Sequence, residues 1–109
     1  MKVTQETYEA LAVIYSPGEI AKAKQRLTDT KTEAERWAVE LADEIALRET
    51  LADAAVKECP EIKVFVEYEL EFRYHQVSQI EGKLATCRRR IEELESFLRR
   101  AARVRQWTT

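Results

Sequence analysis

Glycine and proline are nearly absent, two of each in 109 residues, so the chain has little of what tight turns, bulges and left-handed loops require. Cysteine is equally scarce. Cys59 and Cys87 are too few for a disulfide framework and lack the spacing of a zinc site, so two reduced thiols are expected. There is one histidine, His75, with no serine or cysteine near it in a nucleophile motif, which leaves triad chemistry without a base. The carboxylate runs Glu67, Glu69, Glu71 and Glu92, Glu93, Glu95 suit solvated helix faces, because a di-iron bundle would need Glu-x-x-His pairs and none occurs. Glycine-rich phosphate loops are missing too. No enzyme, metal or cofactor is expected. No stretch approaches the roughly 20 apolar residues of a membrane span, and Met1-Lys2-Val3-Thr4-Gln5-Glu6 lacks the apolar core of a signal peptide. A cytoplasmic protein without membrane contact is the expectation.

What is present is charge and hydrophobic residues in the proportions of long amphipathic helices, 35% and 45%. The formal net charge of -2 marks neither a nucleic-acid binder nor an acidic mimic of one. At 109 residues a single domain is the default. Ser16-Pro17-Gly18-Glu19 carries a capping residue, a proline suited to the first helical position and a glutamate able to complete a capping box, so a helix starts there. Upstream, Tyr8, Leu11, Ala12 and Tyr15 share one face of a short helix over residues 3–15. Downstream, Ile20, Ala23, Leu27, Thr30, Ala34, Trp37 and Leu41 step by threes and fours, and after a four-residue stutter the seam continues at Ile45, Arg48, Ala52 and Ala55. This predicts a second helix over 17–58. Thr28-Asp29-Thr30-Lys31-Thr32 is its weak point, where side chains compete for the backbone and Thr30 with Glu33 imitates a second start.

Pro60 ends that helix and begins a third over 60–105. Its seam is long: Val66, Leu70, Arg73, Val77, Ile80, Leu84, Cys87, Ile91, Leu94, Leu98, Ala101 and Arg105 hold three–four spacing throughout. One conflict lies inside it, since Val64, Val66, Tyr68, Leu70, Phe72 and Tyr74 also alternate as a strand would. The unbroken heptad favours helix; the alternative is a strand that pairs only with another subunit.

The expected fold is all-α, a long antiparallel helical hairpin with a short N-terminal helix. Each long helix should span roughly 60 to 65 Å. Residues whose numbers sum to about 119 should lie opposite one another, which predicts that Gly82 receives the Trp37 ring. Ala42, Ala46, Ala52, Ala54 and Ala55 should lie beside the aromatics of the third helix, and Arg73 should meet Glu44 or Glu49 or else snorkel to the surface. Cys59 and Cys87 should be some 40 Å apart along the hairpin, too far for a bridge. Phe65, Tyr68, Phe72 and Tyr74 encircle their helix, so one face stays uncovered. Self-association through residues 62–77 into a dimeric four-helix bundle would cover it.

Charge is unevenly placed, ten acids against three bases over residues 40–71 and seven arginines against three acids over 86–109. Arg88, Arg89, Arg90, Arg99, Arg100, Arg103 and Arg105, with Trp107, could bind a nucleic-acid backbone and stack a base. They could equally dock an acidic protein or complement the helix dipole. Size and style fit small accessory proteins of bacteria or their viruses, and the turn Glu58-Cys59-Pro60-Glu61 lacks the Trp-x-Gly of small helical-hairpin secretion substrates. The leading expectation is a non-enzymatic adaptor that self-associates and binds a protein partner. The alternative is a nucleic-acid accessory protein.

Overall fold

The structure, a computed structural model, describes residues 3–108 and contains three helices: α1 (Gln5–Ile14), α2 (Pro17–Lys57) and α3 (Pro60–Thr108). The chain divides into two compact units, Glu33–Cys87, and Met1–Thr32 together with Arg88–Thr109.

The Glu33–Cys87 unit is a helical hairpin. Only Glu58 and Cys59 separate α2 from α3, and the reversal follows the local chemistry. The amide of Glu58 donates to the Ala54 carbonyl at 3.0 Å to close α2. Lys63 donates its amide to the Cys59 carbonyl at 2.8 Å, the first bond of α3, while Pro60 takes the position where no amide proton is needed. The alternating segment 62–74 is helical throughout, so the strand alternative does not occur. The heptad positions Val66, Leu70, Arg73, Val77, Ile80 and Leu84 of α3 are partly or fully buried, and Glu69 and Gln76 beside them are partly buried. On α2, Ala34, Trp37, Leu41, Ile45, Arg48, Ala52 and Ala55 are each partly buried, so α2 passes through the stutter and keeps one stripe toward α3.

A single ion pair fixes the register. Arg73 Nη1 lies 3.1 Å from Glu44 Oε1 and 3.2 Å from Oε2, with the side chains 25% and 22% exposed. Glu44 is therefore the partner, in place of Glu49 or solvent. Arg73 Nε is buried without a hydrogen bond, so the pair combines a strong charge-assisted contact with an uncompensated polar atom.

Two packing expectations fail. Gly82 does not receive Trp37: an added Cβ would meet nothing within 4 Å. Lys83 covers the indole instead, its Nζ 4.4 Å from the ring centroid, while the indole Nε1 donates to Glu33 Oε1 at 3.3 Å. The reason is phase, since Gly82 lies off the stripe carried by Ile80 and Leu84. Nor do the alanines cover the aromatics. Phe65, Tyr68, Phe72 and Tyr74 are 73%, 73%, 47% and 53% exposed, because Val66, Leu70 and Arg73 occupy the side of α3 that faces α2.

In the other unit, α1 packs with the start of α2 and the end of α3. Thr4 caps α1, its Oγ1 accepting from the Thr7 amide at 3.3 Å, and the Tyr15 amide closes it on the Leu11 carbonyl at 2.9 Å. Ser16 caps α2 as the sequence implies, Oγ accepting from the Glu19 amide at 3.3 Å. The Glu19 carboxylate does not complete the box and lies 3.5 Å from Lys22 Nζ. The threonines at 28–32 do not break α2: their hydroxyls donate to the carbonyls of Lys24, Arg26 and Thr28 at 3.2, 2.7 and 3.1 Å, satisfying themselves within the helix. The buried side chains here are Ile20, Ala23, Ala101 and Val104. Val104 takes the last seam position expected of Arg105, whose side chain borders the groove where Tyr8, Leu11 and Tyr15 of α1 settle. Cys59 is exposed and Cys87 buried, both as free thiols.

Replacing Gly82 with alanine should raise stability by about 0.5–1 kcal/mol, because the helix gains propensity and the methyl meets no neighbour. The urea midpoint reads this directly, and a lower midpoint would contradict the open surface at Gly82. For the ion pair, Glu44→Ala should cost about 1–3 kcal/mol by leaving the guanidinium unpaired. The double change Glu44→Leu with Arg73→Met should cost less than Glu44→Ala alone, as a double-mutant cycle in urea would show.

Candidate functional site

Two surfaces of α3 hold the residues singled out by the sequence, one in each unit. At 100° per residue, Phe65, Tyr68, Phe72 and His75 follow three–four spacing on the side of α3 away from Val66, Leu70 and Arg73, with Val64 and Glu71 beside them. They are held open by the hairpin itself. Once the heptad stripe has been spent against α2, no other element of this unit remains to cover the reverse side. Val39, Val56, Ile62 and Val64 are exposed as well, at 62%, 84%, 48% and 68%. Ile62 and Val64 fall within the 62–77 segment expected to self-associate, whereas Val39 and Val56 were missing from the sequence-derived site, although the same periodicity shows that neither lies on a seam position.

Rings along this stretch of α3 already accept cations. The Arg48 guanidinium lies 5.0 Å from the Tyr74 centroid and that of Arg73 lies 5.1 Å from the Phe72 centroid. Both fall within the range of cation–π attraction. Carboxylates interleave with the rings, and the whole unit carries thirteen Asp and Glu against six Lys and Arg.

The second surface is basic. Its unit carries twelve Lys and Arg against seven Asp and Glu. Of the arginines read from the sequence, Arg88, Arg89, Arg99 and Arg103 are exposed and, among the described residues, make no hydrogen bond or ion pair within the chain. Helical spacing sets Arg99, Arg103 and Trp107 in one stripe, and Trp107 is 53% exposed. The structure separates the others from this group. Arg100 turns toward α1, Nε donating to the Tyr15 hydroxyl at 3.2 Å and Nη1 to Ser96 Oγ at 2.9 Å, while the Tyr15 ring stacks on Phe97 with centroids 5.2 Å apart. Arg90 borders a groove between α2 and α3 with Arg26, Thr30 and Glu93. Two residues of helix rotate it about 200° away from Arg88, a displacement visible in the spacing alone. Arg105 belongs with the α1 groove.

Among the described residues, no three His, Cys, Asp or Glu side chains come together as a metal site. No helix of the described residues is long and apolar enough to cross a membrane. No protein-family model matches the chain, and neither a curated protein nor a solved structure matches it significantly.

Proposed function

We propose that this protein works by binding and not by catalysis, as a cytoplasmic helical adaptor that self-associates through the aromatic face of α3 and docks a further protein. One observation carries the reading. No residue from Glu33 to Gln76 is buried, yet this stretch exposes Val56, Val64, Phe65, Tyr68, Phe72 and Tyr74. Buried side chains of the hairpin are confined to Val77, Ile80, Leu84 and Cys87, and a stretch of hairpin that has none and displays aromatic rings is suited to being covered by another chain. Burying a whole aromatic side chain removes roughly 150–250 Å², and Phe65, Tyr68, Phe72 and Tyr74 are 73%, 73%, 47% and 53% exposed, so together they supply about half of the roughly 800 Å² per partner that a stable interface buries.

Sedimentation velocity at micromolar concentration should give a dimer. Phe65→Ser with Phe72→Ser should raise the dissociation constant by at least about thirtyfold, the effect of losing central aromatic anchors, while circular dichroism stays helical. A strictly monomeric wild type at tens of micromolar would end the self-association reading.

A second reading rests on the exposed, unpaired Arg88, Arg89, Arg99 and Arg103 with Trp107 nearby. Such a stripe suits a phosphate backbone and a stacked base. Gel shift at low salt should then detect DNA or RNA binding whose log–log salt slope falls by about 0.7–0.9 for each arginine changed to glutamine. Absence of any shift at low salt disposes of it.

A further inference from the structure

We infer that the occupant of the acidic aromatic face is the arginine face of a second copy of this chain, not a second aromatic face. This rests on the self-association proposed above and specifies what meets what. The two surfaces have opposite chemistry, and both are ridges running along α3. Phe65, Tyr68 and Phe72 step by three and then four, and Arg99, Arg103 and Trp107 step by four. Ridges of threes and fours can interdigitate when one copy's α3 lies along the other's. Rings then fall against guanidinium groups, the contact that Arg48 with Tyr74 and Arg73 with Phe72 already make inside the hairpin.

Charge decides against the alternative. Thirteen acids stand against six bases in the unit that carries the rings, and twelve bases against seven acids in the unit that carries the arginines. Joining two aromatic faces would bring Glu61, Glu67 and Glu71 of one copy against the same carboxylates of the other, and like charges at an interface oppose it. Seating the face on Arg99 and Arg103 places those carboxylates beside guanidinium groups that have no partner within the chain. Trp107, 53% exposed, adds an apolar surface where the facing chain presents its rings. Made twice in a two-fold pair, with each copy's rings on the other's arginines, the contact closes as a dimer.

Salt separates the two arrangements on the unaltered protein. With opposite charges in contact, raising NaCl from about 50 to about 500 mM should weaken association by at least about tenfold; with like charges in contact it should leave association unchanged or tighten it. Sedimentation equilibrium gives both constants. Charge reversal then locates the surfaces. Arg99→Glu with Arg103→Glu, and separately Glu67→Arg with Glu71→Arg, should each weaken self-association at least about tenfold, and an equimolar mixture of the two variants should regain it to within about threefold. If the arginine variant associates like wild type, or the glutamate variant associates more tightly, the inference is overturned while self-association stands. A monomeric wild type removes both. Should a variant lose its helical circular dichroism, the salt titration of the unaltered chain decides.

Discussion

Two helices packed side by side can hide only one stripe of each other. Everything else in the Glu33–Cys87 hairpin follows from that geometric limit. The stripe on α3 is taken by Val66, Leu70, Arg73, Val77, Ile80 and Leu84, so a helix whose apolar residues run around its circumference must leave its other apolar residues outside. The exposed rings are what the seam cannot accommodate. In the other unit α1 adds a third helix, and Ile20, Ala23, Ala101 and Val104 are buried there, as Val77, Ile80, Leu84 and Cys87 are in the hairpin. Within the hairpin it is the stretch from Glu33 to Gln76 that buries nothing fully.

The helical elements were legible because periodicity and punctuation agree. Ser16-Pro17 and Cys59-Pro60 mark helix starts through the missing amide proton of proline, and α2 and α3 begin at Pro17 and Pro60. The heptad positions from Ile20 to Ala55 and from Val66 to Ala101 are all at least partly buried. The stutter after Leu41 was visible in spacing alone. Arg73 was recognisable as a polar intruder in an apolar seam, and register arithmetic narrowed its partner to two glutamates.

What was not legible depends on rotation and on choices among equivalent partners. Trp37 and Gly82 are level with one another along the hairpin, yet level is not facing: Gly82 points off the stripe and Lys83 reaches the indole. The arginines formed one group by proximity in sequence, whereas the helix distributes them around its axis and α1 captures Arg100 through Tyr15. That capture needs a contact across 85 residues, which no local pattern encodes. The threonines at 28–32 were ambiguous because the same hydroxyls can cap a new helix or bond back within an existing one.

The Arg73–Glu44 pair also bears on how the hairpin is reached. Along a heptad seam, a partly formed hairpin can close one repeat too early or too late and still bury apolar side chains. A slip of seven residues either way would set the Glu44 carboxylate against Val66 or Ile80, and the Arg73 guanidinium against Trp37 or Leu51. Both misaligned forms strand a charge among apolar neighbours and so lie higher in energy than the aligned one. One polar pair thus singles out the aligned register among closures that hydrophobic matching alone would tolerate.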